Sequence, residues 1–497
     1  MSYIVPHIIG GKTNDSGIRM KDLFEPATGR VIGRVPIADE ALCEQAVLCA
    51  KNAFHTWSST PAIKRAHVLF KFREKLLQHQ NELAKTVTRE HGKTIEDAKG
   101  SVARGIELVE HQCAIMSQLI GEYSANIATD LDTYTLRQPL GICAGISPFN
   151  FPVMVPIWMM IPAIACGNTF ILKPSEQDPS APNMLLELLS EAGLPPGVVN
   201  IIQGDKTTVD CLIQHPDIEA ITAVASTPVA EYIYHEATKN GKRAHTFGGA
   251  KNHCVVMPDA NMSFAAKSIA GAAFGSAGER CMAISAVVCV GEQTPKILLD
   301  HLLPEIQSIK IDSGDAKDVD MGPVISQVHL NKLLTAIDNG LKEGANLLID
   351  GRKFKHKTYP NGFYLGPSVF CDVTKDMSIY QEELFGPILV MLHVPDLEHA
   401  LKLINENQYG NGTAIFTADG FTARQYCQQV QVGMVGVNVP IPVPVTAHPF
   451  GGWKRSSFGD TNMHGLESVH FYTRRKTITQ RWPKNQLTEN AFVMPSN

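Results

Sequence analysis

The chain has no apolar run long enough to span a membrane as a helix. Its most apolar stretch, Phe151 to Cys166, is shorter than the roughly 20 residues a span needs, and Pro152, Pro156 and Pro162 interrupt it. A buried helix start beside a ligand site fits this stretch better. A basic surplus is also missing. The 44 Lys and Arg are outnumbered by 49 Asp and Glu, for a net charge of −5, so nothing suggests nucleic acid or an acidic membrane surface as partner. The 11 cysteines form no CxxC pair and no regular spacing. An odd number without a secretion signal reads as reduced thiols in a cytosol. The N-terminus, MSYIVPHIIGGK, has neither a basic segment followed by a sustained apolar core nor an Arg-rich amphipathic character, so a cytoplasmic location is expected. No histidines show metal-ligand spacing, and no repeat or low-complexity tract occurs. Asn485 to Asn497 reads as a loose tail.

At 497 residues the chain exceeds one ordinary core and should fold as two or three domains. Residues 1–36 read as short strands and turns, and residues from Ala38 to about Ile120 as helices. Between Gly141 and Val224 strands alternate with helices: Gly141–Ile146, Asn168–Lys173, Val198–Ile202 and Ala220–Val224 are the strands. That alternation predicts a parallel sheet with crossover helices, whose ligands gather at the C-terminal strand ends. Lys173, Glu176 and Ser226 stand just past such ends. A second alternating block starts near Cys254. Its expected strands are Ala286–Val290, Asn346–Ile349, Gly362–Leu365, Pro387–His393, Gly410–Phe416 and Val432–Val439, with helices near Val328–Glu343 and Leu397–Asn405. Gly451–Gly459 reads as a flexible loop. Thr133–Pro139 and Phe471–Thr479 read as exposed strands, and the latter invites pairing with another subunit.

The stretch FGSAGERCMAIS, Phe274 to Ser285, sets Cys281 among small residues, directly after Glu279 and Arg280. Backbone N–H groups or a cation nearby would favour its thiolate. A buried structural cysteine is the alternative, since free Cys is among the most buried residue types. Arg280 could equally form a surface ion pair with Glu279, and Arg104 could lie on a solvated helix face.

Several segments together resemble the aldehyde dehydrogenase superfamily across nearly the whole chain. They are PFNFP (Pro148–Pro152), FILKPSE (Phe170–Glu176), GLPPGVVNIIQG (Gly193–Gly204), FGSAGERCMA, EELFGP (Glu382–Pro387), GNGTAIFT (Gly410–Thr417) and PFGGWKRSSFG (Pro449–Gly459). Within the superfamily, Arg280-Cys281 and GAKNH (Gly249–His253) are similar to the CoA-acylating methylmalonate-semialdehyde dehydrogenases. The resemblance implies an α/β fold with a Rossmann-like NAD-binding domain (1–120 and 141–246), an α/β catalytic domain (247–445) and a small β oligomerisation extension (121–140 and 460–480). It also implies a homotetramer built from dimers.

The same resemblance assigns roles. Cys281 is the nucleophile, and its N–H with the Asn150 side-chain amide forms the oxyanion hole. Asn150 alone would read as a turn residue. Lys173 and Glu176 bind the adenosine ribose, and a carboxylate there suits NAD rather than NADP. Ser226 meets the pyrophosphate at a helix N-terminus. Phe149, Glu383 and Phe385 hold the nicotinamide end, though Glu383 could be a paired loop carboxylate. Arg104 and Arg280 clamp the carboxylate of a semialdehyde. The implied reaction is oxidation of malonate or methylmalonate semialdehyde to acetyl-CoA or propionyl-CoA with loss of CO₂, as in valine or inositol breakdown, with coenzyme A as co-substrate.

Two departures from the family pattern bear on this. Ala225 and Ala230 replace glycines at the phosphate-binding turn, so either the turn uses ordinary φ values or NAD binds weakly. Thr246 stands where hydrolytic members carry the glutamate that activates water. A hydroxyl cannot serve as general base near neutral pH, so the acyl-enzyme should await a thiol. The competing expectations are a hydrolytic NAD-dependent enzyme using a different base, and a non-catalytic family member.

Overall fold

The computed structural model describes residues 3–482. The tail expected at Asn485–Asn497 lies outside the described residues. Two large sheets dominate. The first has eight strands in the order Ser457–Phe458, Arg243–Phe247, Ile218–Val224, Ile142–Ile146, Thr169–Lys173, Val199–Ile201, His7–Ile9, Lys12–Asn14. Its five central strands are parallel. Chain order reverses beside Ile142–Ile146: the next two strands go to one side, the following two to the other. That reversal opens a crevice beyond the carboxyl ends of Ile142–Ile146 and Ile218–Val224, where α/β sheets bind ligands. The loops leaving these two strands carry Asn150 and Ser226.

The second sheet has seven strands, Asn346–Ile349, Ser368–Cys371, Ile388–Val394, Ile284–Val290, Asn252–Val256, Gly412–Phe416 and Met434–Val437, all parallel except the first pair. The central strands of both sheets are buried along their length, as near-continuous apolar runs under helices on both faces require. A separate three-stranded sheet joins Thr473–Arg481, Leu131–Pro139 and Tyr123–Ala128. Its long pairing, Thr473 with Pro139 through Arg481 with Leu131, brings together strands over 300 residues apart in sequence.

The apolar run after Phe151 is the helix Met154–Ala165, buried at every position, with Pro162 inside it. Among the described residues no helix is long and apolar enough to cross a membrane. Most strands and helices fall within two residues of their expected bounds. Three differ. Gly362–Leu365 is not a strand: Phe363 donates its N–H to Pro26 O and accepts from Val324 N–H, so the segment anchors the N-terminal turn instead. The strand begins at Ser368, beyond Pro367, which has no N–H to give a ladder. The loop Gly451–Gly459 contains two short strands, Trp453–Lys454 and Ser457–Phe458. Phe471 ends a short helix, Gly465–Phe471, and the last strand starts at Thr473.

Candidate active site

Cys281 is delivered by an unusual turn. The helix Met262–Phe274 runs into Gly275–Gly278, where Ser276, Ala277 and Gly278 have φ of 55°, 51° and 73°. Left-handed backbone costs a non-glycine residue about 1–2 kcal/mol, so the surroundings must impose it. They do: a Cβ on Gly278 would stand 2.3 Å from Gly386 O, so the turn is pressed against the Glu382–Pro387 loop. Phe385 in that loop is itself left-handed, with φ of 58°. Strain of this kind concentrates at functional sites. Beyond Cys281 the chain enters the strand Ile284–Val290.

Two asparagines fix the backbone at this point. Asn252 and Asn411 both donate side-chain N–H to the Cys281 carbonyl, at 2.8 and 2.9 Å. With the carbonyl tied back, the sulfur faces the cleft. Burial pushes the thiol up to about 12, and the Glu383 carboxylate adds to this. The N–H groups of Cys281 and Met282 and the charge of Lys93 oppose it without overcoming it. Arg280 is not the cation that faces the sulfur. Its Nη2 donates to Asp97 at 2.7 Å, on the helix Ile95–Gln112.

A cleft of about 730 Å³ runs from Lys173 and Glu176 past Ser226 to Cys281. It gathers Phe149, Asn150, Lys173, Glu176, Ser226, Cys281, Glu383 and Phe385, eight of the ten residues singled out in the sequence. At one end Glu176 accepts hydrogen bonds from Lys21 and Lys173. Burial would raise this carboxyl, but the two lysines outweigh it and bring it down to about 2, so it is ionised. Ser226 is the residue before the helix Thr227–Lys239 and leaves that helix's first N–H groups without a side-chain cap. Neither Ala225 nor Ala230 has positive φ, so the alanines are accommodated by ordinary backbone. At the other end Phe385 meets Phe149 edge-on at 5.8 Å. Glu383 accepts the Ala250 N–H at 2.9 Å, and a Cβ on Gly249 would lie 2.2 Å from its Oε2. Only glycine fits beneath that carboxyl. Burial pushes Glu383 up to about 7, against the pull of the Ala250 N–H and Lys251.

Asn150 lies at the cleft floor. Its Nδ2 donates to Glu279 O at 3.2 Å, which spends one amide hydrogen and leaves the second for a ligand. Thr246 is fully buried, and its hydroxyl donates to Ala230 O at 2.8 Å. It does not line the cleft.

The two arginines are placed apart from the cleft lining. Arg104 pairs with Glu107 at 2.8 Å and its side chain is 41% exposed, which matches the solvated-face alternative. Arg280 has no ion pair with Glu279, because Glu279 is wholly buried and accepts the Ile325 N–H. Asp97 and Arg104 are seven residues apart on one helix, about 10 Å along the same face. Arg280 is therefore tethered two turns from Arg104. Sequence reasoning gave no role to Lys93, Asn252, Asn411 or Lys21. Asn252 and Asn411 do lie inside quoted motifs. Lys93 sits in His91-Gly92-Lys93-Thr94, between the glycine that ends one helix and the threonine that caps the next.

The aldehyde dehydrogenase family pattern matches residues 13–478. The malonate-semialdehyde dehydrogenase of Pseudomonas aeruginosa is 52% identical over 491 residues, covering 99% of both chains. The human mitochondrial acylating methylmalonate-semialdehyde/malonate-semialdehyde dehydrogenase is 46% identical, over 98% of this chain and 91% of its own. A Sinorhizobium meliloti protein solved in complex with NAD superposes with a TM-score of 0.96 at 50% identity, over 98% of this chain and 99% of that one. With a strained cysteine turn facing a switch-point cleft and this likeness over its full length, the chain belongs to the aldehyde dehydrogenase family.

Proposed function

We propose that this protein is an NAD-dependent, CoA-acylating dehydrogenase of malonate and methylmalonate semialdehyde, releasing acetyl-CoA or propionyl-CoA and CO₂. The observation that carries the acylating reading is Thr246, whose hydroxyl is committed to Ala230 O and offers no base to a water. The names of the similar Pseudomonas and human enzymes support the substrate class.

The residues present fit NAD. The ionised Glu176 and Lys173 would hold the adenosine ribose, Ser226 and the uncapped helix start the pyrophosphate, Glu383 the nicotinamide ribose, and Phe149 and Phe385 the ring. When bound, NAD supplies the hydride acceptor. The Cys281 sulfur attacks the aldehyde carbon. The alkoxide that forms is received by the free Asn150 amide hydrogen and the Cys281 N–H. Loss of hydride from that carbon leaves a thioester on Cys281. The carboxylate β to that thioester then leaves as CO₂; the electron pair of the broken C–C bond passes to the α-carbon, which takes up a proton, so an acetyl or propionyl group remains on the sulfur. The CoA thiolate then attacks the acyl carbon and displaces the Cys281 thiolate. Arg280 uses one of its five N–H donors on Asp97, and the others could pair with the substrate carboxylate, with Arg104 as second member of the clamp.

The domain division given above, the tetramer and the cytoplasmic location belong to the same proposal. Two sheets meeting at one cleft support the first. The exposed edge of the three-stranded sheet, with Tyr123 and Ile127 largely uncovered, supports the second. Eleven free cysteines support the third. A hydrolytic alternative rests on Glu383, a cleft carboxyl raised toward neutral pH that already acts on the Cys281 thiol.

NADH formation from NAD and malonate semialdehyde, followed with and without CoA, separates the readings. Steady turnover only with CoA is expected. Equal turnover without it supports hydrolysis, and none under either condition supports a non-catalytic protein. Arg280→Leu removes a charge-assisted contact of about 1.5–3 kcal/mol with the substrate carboxylate, so kcat/KM for the semialdehyde should fall roughly 10- to 100-fold further than that for propanal. Equal losses on both would remove the clamp. Because the thiol lies near 12, its thiolate fraction grows with every step in pH below that value. In NAD-free enzyme, alkylation of the Cys281 peptide by iodoacetamide should rise about tenfold per unit between pH 6 and 9. A plateau below pH 8 would contradict the burial effect.

A further inference from the structure

The turn between the helices Ala62–His91 and Ile95–Gln112 brings Lys93 against the Asn150 loop without lining the cleft. Gly92 closes the first helix with φ of 98°, and Thr94 caps the second. The turn is gripped from outside. A Cβ on Gly314 would fall 2.2 Å from Lys93 O, one on Gly322 would fall 2.0 Å from Gly92 O, and Ile95 N–H donates to Gly314 O. Lys93 is 1% exposed. Its Nζ donates to the Asn150 backbone carbonyl at 2.6 Å, stands 4.3 Å from the centre of the Phe151 ring, and lies 3.9 Å from Asp97 Oδ2. Asp97 Oδ1 accepts from Arg280 at 2.7 Å. Arg280 is also seated against Gly275, where a Cβ would meet its Nη1 at 2.4 Å.

These contacts close a ring. Asn150 Nδ2 is tied to the backbone of Glu279, Arg280 to Asp97, Asp97 to Lys93, and Lys93 back to the Asn150 backbone. Cys281 is the next residue along the chain. A buried ammonium is costly unless geometry repays it; here Lys93 hydrogen-bonds the Asn150 carbonyl, while Asp97, 18% exposed and 3.9 Å away, takes the hydrogen bond of Arg280 beside Cys281.

We propose that Lys93 and Asp97 are positioning residues that set the distance between the Asn150 amide and the Cys281 loop, and so shape the oxyanion hole. This rests on the reading of Cys281 as nucleophile and Asn150 as oxyanion donor. Neither residue touches substrate. Lys93 acts through Asn150, and Asp97 through Arg280 and Lys93. Displacement of a catalytic group by about 1 Å can cost on the order of 100-fold.

Acylation by 4-nitrophenyl acetate tests it without aldehyde, NAD or CoA. The Cys281 thiolate attacks the acetyl carbon, a C–S bond forms, and 4-nitrophenolate leaves. The burst of 4-nitrophenolate needs the oxyanion hole, whereas alkylation of the same sulfur by iodoacetamide does not. Asp97→Asn gives an opposed sign. Removing a nearby negative charge favours both thiolate and alkoxide, so electrostatics alone would speed the burst. The positioning role predicts a burst rate about 10- to 100-fold slower, with alkylation of the Cys281 peptide unchanged or faster. Lys93→Met should slow the burst by a larger factor than it slows alkylation. A burst that is unchanged or faster in Asp97→Asn overturns the proposal. So does a parallel loss of burst and alkylation in both variants, which would mark the pair as fold support only. A wild-type enzyme without a burst on Cys281 would instead overturn the reading of Cys281 itself.

Discussion

In the proposed reaction the fate of the acyl group turns on one hydrogen bond, from the Thr246 hydroxyl to Ala230 O. It points the side chain at the first turn of the helix Thr227–Lys239 and away from the cleft. A glutamate at this position could polarise a water. A threonine so engaged can neither reach one nor hold its proton near neutral pH. On the reaction proposed above, a thioester on Cys281 would wait for a stronger nucleophile than water, and a thiol would supply it. The proposed product follows from that missing base.

The two sheets make the arrangement possible. One places Asn150 and Ser226 at the point where its strand order reverses, and the other brings Cys281 in on a left-handed turn. The turn is held by backbone contacts on every side. Gly386 presses on Gly278, Asn252 and Asn411 take the Cys281 carbonyl, and Asn150 takes that of Glu279. Burial keeps the thiol high at the end of the cleft it lines.

The alternation of strand and helix, the crevice and the gathering of the cleft residues were legible because each depends on local signals. Apolar strands alternate with helices, and Lys173, Glu176 and Ser226 follow strand ends. The threonine at residue 246 was likewise visible as an identity. The partners of Arg280 and Glu279 were not. Adjacent opposite charges suggested a pair, yet Arg280 bonds to Asp97, 183 residues earlier, and Glu279 is buried. Such choices are settled by packing between distant segments. For the same reason Lys93 gave no warning: a lysine in a turn reads as solvated until the Asn150 carbonyl and the Phe151 ring are placed over it. The strand expected at Gly362–Leu365 failed because its N–H groups are claimed by Pro26 and its neighbours rather than by a ladder.

The most direct measurement is the intact mass of the protein after mixing with NAD and malonate semialdehyde in the absence of CoA. The account predicts an acyl adduct on Cys281 that persists for minutes and vanishes when CoA is added. Repeated turnover with no adduct would mean that another carboxyl, Glu383 foremost, delivers water to the thioester, and would contradict it.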